Sequence, residues 1–162
     1  MLDNRTQTAG RFDPQAAPAY RELSDSASDL FILAGRILVG QLFVVSGFGK
    51  ITVVGVFAAS LQKRGVPAPD VMALIGACVE FFGGLAVVLG FKTRWAATLM
   101  LIFTIVATAI GHRYWEFTDP AVRLVQYMNF YKNLTIAGGI LFLIACGGGR
   151  LSIDGLLRRT PR

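Results

Sequence analysis

The sequence predicts an all-α integral membrane protein: a bundle of four antiparallel transmembrane helices, with a short interfacial helix between the first and second. Three observations carry this prediction. Of 162 residues, 54% are apolar before the 18 glycines are counted, and only 16% are charged. Ordinary soluble domains reach about 45–50% with glycine included and carry about 25% charge. Mean hydropathy is +0.55. Next, four apolar runs are each long enough, at about 1.5 Å per helical residue, to cross a hydrocarbon core of about 30 Å. Finally, the cations behind the net charge of +6 lie between those runs and at the ends. That is the charge pattern of membrane-protein loops, and it excludes the basic stripe or patch of a nucleic-acid binder.

Residues 1–28 are polar, mixed in charge and rich in Ala, Pro, Asp and Arg, which reads as a flexible polar tail. No apolar core of about 7–15 residues follows the early charges, so the segment is not read as a cleavable signal peptide. The transmembrane domain is read as residues 29–149. The first run, Leu30 to Phe48, contains Arg36 and Gln41 and has Ser28 or Asp29 as its N-cap. Val54, Phe57 and Leu61 then recur at helical spacing, opposite Gln62 and Lys63, and predict the interfacial helix. Gly65-Val66-Pro67 turns the chain. The second run, Val71 to Leu89, carries Glu80 as its one ionisable residue.

A short basic link, Gly90 to Arg94, leads to the third run, Trp95 to Gly111, which ends at His112. Asp119-Pro120 starts the fourth helix, with proline at its first position, and Gly147-Gly148-Gly149 stops it after Cys146. Tyr114, Trp115, Phe117 and Tyr127 form an expected interfacial aromatic belt. Residues 150–162 are read as a basic tail.

Cation asymmetry gives the orientation. Arg5, Arg11, Arg21, Lys92, Arg94, Arg150, Arg158, Arg159 and Arg162 fall on the side of the termini. Lys50, Lys63, Arg64, Arg113, Arg123 and Lys132 fall on the other. The positive-inside rule then puts both termini of this multi-pass protein on the cytoplasmic side of the membrane.

Charges inside a membrane are costly, so Arg36 and Glu80 are the first candidates for chemistry. Arg36, Gly40, Phe43, Gly47 and Lys50 share a stripe on the first helix, and Gly76, Glu80, Gly83 and Val87 share one on the second. Matched depth in antiparallel helices predicts that Arg36 and Glu80 meet. The pair is read either as an architectural ion pair or as a group that transfers protons or polarises a quinone. A second polar cluster is expected at the outer ends, where His112 joins Lys50, Gln126, Lys132 and Asn133. Thr104, Thr108 and Gly111 line the helix face leading to it. Cations and donors there suit an anion or a quinone carbonyl. Cys78 and Cys146 differ in depth and phase, so no internal disulfide is expected and both read as small apolar fillers. A single histidine and no CxxC or HExxH leave no metal site.

Gly35-Arg36-Ile37-Leu38, with Phe43-Val44-Val45-Ser46-Gly47-Phe48-Gly49-Lys50-Ile51, resembles the first helix of the DoxX family. Glu80-Phe81-Phe82-Gly83-Gly84 and Gly90-Phe91-Lys92-Thr93-Arg94 are similar to its second helix and basic turn. His112, Trp115, Phe130-Tyr131-Lys132-Asn133-Leu134, Gly138-Gly139 and Gly149-Arg150-Leu151-Ser152-Ile153-Asp154 extend the likeness to the end of the domain. The resemblance implies a small four-helix inner-membrane protein associated with redox systems, among them a thiosulfate:quinone oxidoreductase. It is also distantly similar to membrane thiol oxidoreductases, whose paired cysteines this chain lacks.

The resulting expectation is an integral membrane subunit of a quinone- or thiol-linked oxidoreductase system. Arg36, Glu80 and His112 are its candidate catalytic groups. Lys50, Gln126, Lys132 and Asn133 are its candidate binding groups. The chain itself is expected to carry no cofactor and to need a soluble or membrane redox enzyme as partner, with quinone as ligand and the lipid bilayer as surroundings. Self-association stays open. The alternative is a non-catalytic membrane protein, either an assembly factor or a conductor of small solutes or protons.

Overall fold

The computed structural model describes the backbone of residues 16–159 and the side chains of residues 26–158. The described chain is helical and has no strands. Its elements are α1 (Ala16–Thr52), α2 (Val54–Lys63), α3 (Pro69–Leu89), α4 (Thr93–Gly111), a 3-10 turn (Tyr114–Glu116), α5 (Pro120–Cys146) and α6 (Ile153–Arg159). Four helical stretches are long and apolar enough to cross a membrane: Ser26–Thr52, Pro69–Leu89, Thr93–Glu116 and Pro120–Cys146. The short α2 lies between the first two, as the apolar spacing predicts.

Local chemistry sets the helix ends. Pro69 opens α3 in its first turn, and Gly90, left-handed at φ 68°, closes it. At the start of α5 the Asp119 carboxylate accepts the Val122 N–H at 2.9 Å. Gly147, at φ 75°, ends the same helix. The start of α4 is capped from far along the chain. Asp154 accepts the Lys92 and Thr93 N–H groups and the Thr93 hydroxyl, each at 2.8 Å.

Small residues let α1 and α3 meet backbone to backbone. A Cβ at Gly47 would lie 2.8 Å from the Phe81 Cα, and one at Gly40 would lie 2.9 Å from the Gly84 carbonyl oxygen. The first-helix stripe therefore packs as the sequence predicts. The second-helix stripe is corrected: Gly84 faces α1, whereas Gly83 packs on Met100 of α4 and Gly76 approaches Phe57 and Phe103. The reason is that α3 sits centrally, with α1, α2 and α4 all packed on it. The core joins Phe43, Val87, Ala97, Met100, Ile140 and Leu143. Large apolar side chains such as Phe31, Val45, Trp95 and Phe142 stay exposed on the outside. Lipid takes the place of water around such a surface.

Two expectations about the ends change. The first helix starts at Ala16, well before the expected cap at Ser28 or Asp29, and the part of the expected tail in residues 1–15 lies outside the described residues. The segment from Arg150 is no simple tail. It folds back under the bundle, with Asp29 accepting the Arg150 N–H at 2.7 Å, Ser152 buried and Asp154 capping α4. Residues 160–162 lie outside the described residues.

Candidate functional site

The two buried charges of the bundle belong to opposite ends, which corrects the expected Arg36–Glu80 pair. The α1–α3 register is fixed by Gly40 on Gly84 and Gly47 on Phe81. It places Arg36 level with Gly90, about ten residues or about 15 Å along α3 from Glu80. Arg36 is completely buried, lies against Gly90 and Ser152, and donates to the Leu151 carbonyl oxygen at 2.5 Å. It anchors the folded-back C-terminal segment. The depth error arises because α1 runs on past Asp29, so that residue does not mark the end of the bundle.

Glu80 pairs instead with Lys50, which donates to its Oε2 at 2.5 Å. The Glu80 side chain is 5% exposed and the Lys50 side chain 31%. Lys50 also lies over the Phe57 ring, 5.2 Å from its centroid. One turn of interfacial helix thus guards the cation from the side.

The other outer residues gather around this pair. The His112 Nδ1 and Gln126 Oε1 are hydrogen-bonded at 2.8 Å, an arrangement in which Nδ1 carries the proton and donates. That leaves Nε2 of a neutral ring as an acceptor. Asn133 donates from Nδ2 to the Thr108 hydroxyl at 2.9 Å. Thr108 and Thr104 donate in turn to the carbonyls of Thr104 and Met100, at 2.6 and 2.7 Å. Lys132 sits at the exposed rim and donates to Asn129 at 2.9 Å. Lys50, Glu80, His112, Lys132 and Asn133 line one cavity of about 160 Å³, together with Ser46, Phe103 and Thr104. Gln126 acts through His112.

Beside it lies an apolar groove of about 490 Å³, walled by Phe57, Leu61, Met72, Ile75, Phe103 and Val106. Groove and cavity share Lys50, Phe103, Ala107 and His112, so the first opens onto the second. Arg64 fixes the far wall by donating to the Ile110 and Gly111 carbonyls at 3.3 and 2.6 Å, which ties the end of α2 to the end of α4. Sequence reading missed Ser46, Phe57, Arg64 and Phe103. Arg64 carried a signal, because the last carbonyls of a helix seek a cation. Phe57 was legible only as the apolar face of α2.

Of the expected aromatic belt, Tyr114, Trp115 and Tyr127 join Phe130 in a packed cluster, and Phe117 is not part of it. Tyr114 stacks edge-on with Trp115, Tyr127 and Phe130 at 5.1, 5.3 and 5.6 Å, and pins the 3-10 turn to α5 behind His112. Cys78 and Cys146 are free thiols, Cys78 half-buried and Cys146 exposed at the last residue of α5. Exposure removes the filler reading for Cys146. Among the described residues, no group of three or more His, Cys, Asp or Glu side chains is arranged to hold a metal ion.

The DoxX family profile matches residues 31–113, from the first span to just past His112. The chain belongs to the DoxX family. Among its relatives, inner membrane protein YphA of Escherichia coli is 35% identical over 129 residues, covering 80% of this chain and 91% of that protein. Inner membrane protein YqjF of the same organism is 37% identical over 131 residues, covering 81% and 95%. The ER-derived vesicles protein ERV29 of Saccharomyces cerevisiae is 27% identical over 140 residues, covering 85% of this chain and 37% of that protein. No solved structure matches the chain.

Proposed function

We propose that this DoxX-family protein is the membrane subunit of a quinone-linked oxidoreductase system, and that the outer cavity and its groove bind the quinone. The single observation that carries this reading is the continuity of an apolar groove with a small half-polar cavity. A membrane quinone has the same two parts, an apolar tail and a ring with carbonyl oxygens. A cavity of about 150 Å³ accommodates one six-membered ring, and this one is about 160 Å³. Lys50 and the Asn133 amide are its donors toward a carbonyl oxygen. Glu80 balances the charge of Lys50 and holds its ammonium at the cavity wall. His112 accepts or passes a proton at Nε2, its other nitrogen being held by Gln126. A bound quinone would supply the redox chemistry. A partner redox enzyme delivers the electrons in this proposal, and both termini face the cytoplasm.

Proton conduction along the bundle fits less well. Between the Lys50–Glu80 pair and Arg36 the core is apolar, filled by Phe43, Val87 and Met100. A gentle-detergent preparation tests the proposal. Solvent extraction of the purified full chain should recover quinone near one per chain, and Lys50→Met should reduce that recovery severalfold. Extraction of phospholipid without quinone from folded protein would overturn it.

A further inference from the structure

The other end of the molecule holds a second two-part site. A groove of about 630 Å³ runs between α1 and α5, walled by Phe31, Ile32, Gly35, Val39, Gly139 and Phe142. On α1 it extends from Ala27 to Val39, which is about 18 Å of helix. One leaflet of a hydrocarbon core of about 30 Å is about 15 Å deep, so the groove is long enough for an acyl chain that reaches the interface. At the mouth of the groove, across Cys146, lies a polar basin of about 310 Å³ bordered by Arg94, Arg150 and Arg158. The basin also holds Asp29 and Asp154, but both carboxylates are engaged. Asp29 accepts from the Arg150 N–H and lies 3.7 Å from its guanidinium, and Asp154 caps α4. Three guanidinium groups therefore stand against two carboxylates, an excess of one positive charge, with Arg94 also donating to the Ala145 carbonyl at 3.1 Å and Arg158 acting on Asp154.

We propose that this seam binds one anionic phospholipid of the leaflet that meets the chain's termini. Its phosphate lies among Arg94, Arg150 and Arg158, and one acyl chain lies in the α1–α5 groove. Guanidinium suits phosphate because its planar fork donates two parallel hydrogen bonds. The groove supplies what a free phosphate does not use. The site lies at the opposite end of the bundle from the quinone cavity and stands or falls independently of it.

Native mass spectrometry of the full chain, titrated with phosphatidylglycerol, phosphatidylcholine or inorganic phosphate, tests the proposal. One phosphatidylglycerol should bind per chain, about fivefold or more tighter than phosphatidylcholine. Arg158→Gln, at an exposed position, should weaken phosphatidylglycerol about fivefold and phosphatidylcholine less, because the choline cation already offsets the attraction of its phosphate to the arginines. A Cβ at Gly35 would meet nothing within 4 Å, so Gly35→Leu starts a side chain into the groove without a backbone clash, and its folding is checked by thermal unfolding beside the parent. The variant should weaken both lipids without touching any charge. Equal affinity for the two lipids would overturn the proposal, as would inorganic phosphate binding as tightly as phosphatidylglycerol. So would Arg158→Gln and Gly35→Leu both binding like the parent.

Discussion

Glu80 carries a charge inside the bundle because Lys50 reaches it, and Lys50 reaches it because Gly47 brings α1 onto Phe81 one turn earlier. Replacing one partner of a fully buried pair costs about 3–5 kcal/mol. The Lys50 side chain is 31% exposed, so solvent lowers that figure here. Lys50→Met and Glu80→Gln should each destabilise the protein in detergent unfolding experiments. Their double mutant should be less destabilised than the sum, with a coupling of about 1 kcal/mol or more. Arg36→Met combined with Glu80→Gln should instead be additive within about 0.5 kcal/mol, because the two side chains lie at opposite ends. Coupling in the second cycle and none in the first would show that the helix register is wrong. Arg36 and Glu80 were legible in the sequence as costly charges, and Lys50 as a residue on the stripe of Arg36. Their pairing was not. Depth had to be counted from a helix end, and nothing in the local sequence says that α1 continues back to Ala16.

At the scale of elements, the four spans, α2 and the turns were legible because each has its own signal: hydropathy, helical spacing, Asp119-Pro120, or a glycine stop. Packing partners were less so. A glycine on a helix face signals close approach without saying to what, and Gly83 and Gly84 point to different neighbours. Gly47→Ala should cost about 1–3 kcal/mol, since its Cβ would meet the backbone of α3. Gly49→Ala, with nothing within 4 Å, should be neutral or stabilise by about 0.5–1 kcal/mol. Thermal unfolding of the two variants checks the contrast.

The fold-back of the C-terminal segment was hidden because Asp154 caps a helix some sixty residues earlier in the chain. Burial pushes the Asp154 carboxyl up. The hydrogen bonds from Thr93 and Lys92 and the charge of Arg158 outweigh burial and hold it below the ordinary carboxylate value. An unfolded aspartate titrates near 3.9. The stabilisation from Asp154 is therefore complete above about pH 4 and is lost as pH falls toward its lower folded value. The stability gap between the parent and Asp154→Asn should stay constant near neutrality and narrow below about pH 4. A gap that widens on acidification would contradict this.

Across the whole molecule, the polar groups divide into two ends separated by an apolar core. Arg36 and the C-terminal segment close one end, and Lys50, Glu80, His112 and Asn133 form the open site at the other. Of the seven candidate site residues read from the sequence, only Arg36 falls outside that end; Glu80 reaches it through Lys50 and not through the expected Arg36, and the polar residues at the span ends gather there because they have few other places to go. The cation distribution predicts both termini in the cytoplasm, so reporter fusions at either end should report the cytoplasm, and a periplasmic signal would reverse the orientation. The binding claim has a sharper test. The full chain in lipid nanodiscs should be labelled with a short-chain quinone bearing a photoreactive group on its ring, and the adducts mapped by mass spectrometry. Labelling should concentrate on the walls shared by groove and cavity, at Lys50 and between Phe103 and His112, and excess unlabelled quinone should suppress it. Saturable labelling confined to the α1–α5 seam, or labelling of the outer cavity that excess quinone does not suppress, would contradict the account.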